Sequence, residues 1–165
     1  SPKSAWSILV YGLPSLDIRL RKETESAFEV ARFLERHERV DRVMYPGLEN
    51  FPRREVAKRQ MTDFTGAFAP GNMIYFVLAG EPKVADRLSN RLVNDIAKNA
   101  YSITLAVSLG QIRTLIEKPG SMTHSALPPE VQRSVRIDPG GVRLSIGLED
   151  PEDLIGDLGR ALEKI

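Results

Sequence analysis

The sequence contains no cysteine and only two histidines, His37 and His124. No disulfide framework, thiolate-ligated zinc or iron–sulfur site, or thiol nucleophile can be built from it, and a multi-histidine metal site is all but excluded. A carboxylate-only Mg²⁺ or Ca²⁺ site stays open on composition. An excess of one charge is also lacking: 23 Lys and Arg stand against 22 Asp and Glu, for a net charge of +1. A balance that close to neutral points away from nucleic acid and other polyanions. No stretch approaches the ~18–20 consecutive apolar residues of a membrane span, and the opening SPKSAWSILVYGLPSL lacks the apolar region of a signal peptide, so the expectation is a cytoplasmic protein with no membrane partner. Low-complexity tracts and long internal repeats are missing. So are G-x-x-x-x-G-K-[ST], G-x-G-x-x-G after a strand, H-E-x-x-H and G-x-S-x-G, which removes the usual support for nucleotide-binding, metalloprotease and α/β-hydrolase readings.

What is present is enough apolar material, 42% of 165 residues, for one buried core. Residues 15–37 place Leu16, Leu20, Ala27, Val30, Ala31 and Leu34 at helical spacing with charges opposite, predicting a long amphipathic helix. A shorter helix is expected before it, and its Trp6, Ile8, Leu9 and Tyr11 are too apolar for a free tail. Val40, Val43 and Tyr45 suggest a short strand stopped by Pro46–Gly47, and residues 52–61 a short basic helix with a solvated face. The run 73–79 reads as a central buried strand, and a helix from Glu81–Pro82 to about Lys98 carries Val84, Leu88, Leu92, Val93 and Ile96 inward. Residues 101–107 form a further strand, 111–117 one helical turn, Pro128–Pro129 the start of a short helix, and 142–148 a last strand before a terminal helix. The expected fold is α+β: a two-layer sandwich with a small, mostly antiparallel sheet and helices on one face, preceded by the long helix. Segment 1–37 is expected to be helical and 38–165 to form the α+β domain.

Several residues invite a chemical reading. The acids from Glu149 to Asp157 suit a helix N-terminus better than a cation loop. His124, in the polar cluster 121–125, suits loop ordering as well as base catalysis beside a serine. Ser108, at the end of a predicted strand and followed by Leu109–Gly110, stands where polar groups reach ligands. Arg143, between Val142 and Leu144 in a predicted strand, either turns its guanidinium to water or meets an anion.

Three motifs in order sharpen this. AVSLG (106–110), PGSMTHS (119–125) and VRLSIGLEDPEDLIGDL (142–158) resemble the C-terminal part of the cystathionine γ-synthase/methionine γ-lyase family of pyridoxal-phosphate (PLP) enzymes. The opening SPKSAWSILVYGLPSLDIRL is similar to the family's S-P-x-x-A-W…G-L-x-T-L-x-x-R entry into its interdomain helix, and YPGL (45–48) falls where the family commonly has it. The resemblance implies the C-terminal domain of a fold-type-I enzyme, packed on a larger N-terminal PLP-binding domain in a cytoplasmic homo-oligomer that acts on a small sulfur amino acid by γ-elimination or γ-replacement. It implies that Arg143 grips the substrate α-carboxylate, that Ser108 stands beside it, that Val107 faces the substrate side chain, and that Thr123 lies at the pocket edge. His124 is then structural.

Two segments depart from the family pattern: Tyr11 replaces an arginine, and G-G-M-x-S-F becomes Gly71–Asn72–Met73–Ile74–Tyr75–Phe76. Nothing resembles the Schiff-base lysine segment, the phosphate cradle or the aspartate on the pyridine nitrogen. The chain alone is therefore expected to hold no PLP, to contribute no catalytic residue and to be inactive. The contrasting expectation is a non-enzymatic α+β module that binds an amino acid or another protein.

Overall fold

A computed structural model describes residues 1–123, 126–135 and 137–165. The chain begins with α1 (Pro2–Ser7), continues through one π-helical turn (Ile8–Gly12), and enters the 21-residue α2 (Leu16–Arg36). There follow β1 (Val40–Met44), α3 (Arg54–Gln60), β2 (Met73–Leu78), α4 (Pro82–Asn99), β3 (Ile103–Leu105), β4 (Thr114–Glu117), α5 (Pro129–Ser134), β5 (Gly141–Ser145) and α6 (Pro151–Glu163). The result is an α+β fold around a five-stranded mixed sheet of order β1-β2-β5-β4-β3. Three of its neighbour pairings are antiparallel and β3–β4 is parallel.

The alternation of β5 organises the sheet. Val142 and Leu144, followed by Ile146, point to one side with Ile74, Phe76 and Leu78 of β2. They meet Val30 and Leu34 of α2, Leu92 and Ile96 of α4, and Leu154 and Leu158 of α6 in one core. Burial of this apolar surface is the main stabilising term, at ~25 cal/mol per Å² removed from water. The intervening residues, Gly141, Arg143 and Ser145, face the other side.

The structure differs from expectation in four places. Residues 111–117 are not a helical turn: Thr114–Glu117 is a fully buried interior strand, paired with β5 and β3. Its β-branched Thr114 and Ile116 favour that state once partners flank it on both sides. The strand expected over 101–107 contracts to Ile103–Leu105, because Asp157 captures the backbone before it and the chain then leaves the sheet. The inner stripe of α2 is closed only from Glu23 onward, leaving Leu16 and Leu20 partly exposed. Val84 at the start of α4 is likewise partly exposed. The acids from Glu149 begin α6, where Asp150 caps the helix by accepting from the N–H of Glu152 and Pro151 occupies the first turn.

Asp157 fixes the far edge. Its buried carboxylate accepts from the Tyr101 N–H (3.0 Å), the Ser102 N–H (2.9 Å) and the Ser102 hydroxyl (2.6 Å), and pairs with Arg160. Burial pushes its pKa up, but hydrogen bonds from Ser102, Arg160 and Tyr101 outweigh that and hold it below the usual value of 3.8. Asp157→Ala is expected to cost about 3 kcal/mol in urea unfolding, since two backbone N–H groups lose their acceptor. The carboxylate's contribution is complete above pH ~3.8 and disappears as pH falls through its lower folded value. Asp157→Asn should flatten that acid limb of the thermal midpoint, and an unchanged limb would contradict the assignment.

Candidate functional site

Arg143 sits at the middle of β5, directly opposite Glu117 of β4 and Tyr75 of β2. All three side chains lie on the face away from the α2–α4–α6 core. Directly opposed residues on one face bring their side chains within contact range. The Arg143 Nη2 pairs with Glu117 Oε1, and the Thr123 hydroxyl donates to the same oxygen at 3.3 Å. Glu117 is 1% exposed and Arg143 24% exposed in their side chains. Two polar atoms of the pair, Arg143 Nε and Glu117 Oε2, are buried without a hydrogen-bond partner. A half-satisfied buried pair is costly to the fold alone, so its presence calls for a reason other than stability.

On the Tyr75 side, the phenol donates to Asp138 Oδ2 (3.2 Å) and accepts from the Asp138 N–H (2.9 Å), while Arg42 Nη2 binds the same carboxylate at 2.6 Å. Burial raises the Tyr75 pKa to about 12, with the Asp138 N–H opposing the shift, so the phenol stays protonated and can donate. Two residues beyond Arg143, the Ser145 hydroxyl accepts from the Gly110 N–H at 3.2 Å, which brings the 106–110 loop onto this face. Gly110 has φ +75°, a left-handed conformation that glycine adopts without strain. Farther along, Glu149 receives the Thr114 N–H at 3.0 Å and the Thr114 hydroxyl at 2.8 Å, closing the end of β4 against the segment after β5.

The structure thus joins Arg143 and Thr123 through Glu117, a residue that sequence reasoning missed. The signal was the run Thr114–Leu115–Ile116, with β-branched residues at its two ends, between Gly110 and Pro119–Gly120, which reads equally well as a buried strand. Ser108 and Val107 lie exposed in the loop, and among the described residues no hydrogen bond joins Ser108 to Arg143. His124 and its neighbour Ser125 lie outside the described residues. Among the described residues no group of three or more acidic or histidine side chains is placed to hold a metal, and no helix is long and apolar enough to cross a membrane.

The family model of the "Cys/Met metabolism PLP-dependent enzyme" matches residues 1–163. The chain belongs to that family. It is 42% identical over 164 residues to an L-methionine gamma-lyase of Fusobacterium nucleatum subsp. polymorphum, covering 99% of this chain and 38% of that protein. It is 38% identical over 163 residues to a cystathionine beta-lyase of Lactococcus lactis subsp. cremoris strain MG1363, covering 99% of this chain and 39% of the relative. A crystal structure of cystathionine gamma synthase from Xanthomonas oryzae pv. oryzae, in complex with aminoacrylate and cysteine, superposes with a TM-score of 0.77 at 37% identity, over 93% of this chain and 36% of that one. The chain therefore spans about two-fifths of the length of the curated relatives it matches.

The enzymes of this family depend on PLP, a cofactor that needs a free lysine amine as its anchor. The buried lysine here, Lys118, has its ammonium committed to the Asp86 carboxylate at 2.6 Å and to the Asp86 carbonyl at 3.1 Å; the others lie outside the core. That is a structural ion pair rather than a nucleophilic amine, and the described residues do not fit as the cofactor's anchor.

The polar face also imposes a steric limit. A Cβ on Gly141 would overlap the Tyr75 hydroxyl and stand 2.6 Å from its Cζ and 2.9 Å from the Asp138 carbonyl. Gly141→Ala is expected to destabilise the domain by about 2 kcal/mol or more, because the backbone of β5 has to move. Circular-dichroism melting checks this, and an unchanged midpoint would show that Tyr75 is free to step aside.

Proposed function

We propose that this chain is the C-terminal, substrate-carboxylate-binding domain of a PLP-dependent sulfur amino-acid enzyme that performs γ-elimination or γ-replacement. In this reading 1–37 is the interdomain helical segment and 38–165 a two-layer α+β sandwich. A separate N-terminal domain of the parent holds the cofactor, and the parent assembles as a homo-oligomer. The observation that carries the proposal is Arg143: a guanidinium on the polar face of the central strand, one-quarter exposed, with a buried Nε that lacks an acceptor. A carboxylate meeting the exposed part of that guanidinium makes charge-assisted hydrogen bonds of the kind a planar fork makes best.

Around Arg143 the neighbouring residues take complementary parts. Ser108 adds a hydroxyl beside the carboxylate. Val107, 59% exposed at the loop tip, presents an apolar surface to the substrate side chain, which suits methionine better than a substrate with a second charge. Thr123 borders the pocket and fixes the Glu117 carboxylate. The domain's contribution is positioning: holding the carboxylate sets the direction of the substrate's Cα–H bond. The electron sink for charge at that carbon belongs to the cofactor and the residues that hold it, outside this chain. The apolar arm at Trp6, Leu9 and Leu13, 62%, 62% and 59% exposed, supports cover by the remainder of the parent.

In the full-length enzyme Arg143→Ala is expected to lower kcat/KM by about 100-fold, mainly through KM, with Arg143→Lys recovering part of the loss. Unchanged kinetics would remove the assignment. The 165-residue chain titrated with PLP should show no stoichiometric imine band near ~420 nm. A band that borohydride fixes at one lysine would overturn the division of labour.

A further inference from the structure

Glu117 has no place in the reading above beyond its contact with Arg143, yet its setting is unusual. A carboxylate that is 1% exposed is expensive to bury, and its attraction to a partner repays the cost only when both groups are fully hydrogen-bonded. Here they are not, since Glu117 Oε2 and Arg143 Nε both lack partners. An apolar residue on β4 would pack as the neighbouring Leu115 and Ile116 do, without that penalty. Stability alone therefore does not account for a glutamate at this position.

We propose that Glu117 is the positioning residue for Arg143. It stands opposite Arg143 in the β4–β5 register, so the pair geometry is imposed by the sheet rather than by flexible side chains. By accepting from Nη2 it selects one rotamer of a long side chain that otherwise samples many, and it orients the guanidinium plane for a ligand. Thr123 completes the device: its hydroxyl fixes Oε1 from the segment after β4, tying that segment to the same plane. Glu117 touches no reacting atom and acts through Arg143. This inference rests on the reading of Arg143 as the carboxylate grip.

The function assigned to Glu117 is to hold a hydrogen bond, so the neutral isostere should substitute for it and an apolar residue should not. The test uses the full-length enzyme and two probes: norleucine, which has methionine's shape without its sulfur, and pentylamine, the same chain without a carboxylate. Inhibition constants are measured for both, with calorimetric binding to the cofactor-stripped protein as a readout independent of turnover. Glu117→Met should weaken norleucine about tenfold and leave pentylamine within about twofold, the scale expected for losing a hydrogen bond to a charged group. Glu117→Gln should keep both probes within about threefold of the parent. If Glu117→Met fails to fold, Glu117→Gln decides alone: a tenfold change in norleucine binding in either direction overturns the proposal, because charge rather than orientation then matters. Glu117→Met binding norleucine like the parent, or losing both probes equally, also overturns it. Arg143→Ala separates the two layers of argument. If it weakens both probes alike, the carboxylate grip itself fails; if it is selective for norleucine while Glu117→Met is silent, only the role of Glu117 fails.

Discussion

The register of β5 between β2 and β4 is the constraint on which the rest depends. Because side chains alternate, one pairing sends Val142 and Leu144 into the core and turns Arg143 and Ser145 to the opposite face, and a slip of one residue would exchange the two sets. The slipped arrangement would bury a guanidinium among Phe76, Leu34 and Leu158 and expose the leucine. The free energy of the apolar core therefore enforces the location of Arg143. Site and core cannot drift apart, since they are alternate residues of the same five.

Much of this was legible because it rests on local patterns. The α2 and α4 helices follow from periodicity, β2 from its apolar run, and the start of α6 from Asp150–Pro151 with acids behind them. Arg143 stood out in sequence because an arginine flanked by aliphatic residues in a strand needs an explanation. The motifs then suggested which explanation applies, and the family match covers nearly the whole chain.

What escaped is what only tertiary pairing decides. The 111–117 segment is too short and too mixed to declare itself a strand, and its state is set by β3 and β5 on either side. With the strand went Glu117, whose meaning exists only opposite Arg143. Asn72 is a similar case. It stands where the family pattern has glycine, and its amide donates to Glu23 of α2 at 2.9 Å and to the Ile146 carbonyl at 2.8 Å, joining the long helix to the end of β5. Such a bridge spans 49 and 74 residues of sequence and leaves no local trace.

The connection between the parallel strands β3 and β4 has a further meaning. Residues 106–113 must carry the chain back to the end from which β3 began, and they do so without a helix, pinned at intervals: the Ala106 N–H on the Ile116 carbonyl, the Gly110 N–H on Ser145, and the Ile112 carbonyl on the Leu148 N–H. Between the first two pins, Val107 and Ser108 stand clear of the core. The loop behaves as a taut bridge with an unburdened span. Residues on that span can change size and polarity at little cost to folding, so this stretch can be remodelled without renegotiating the stability of the sheet beneath it.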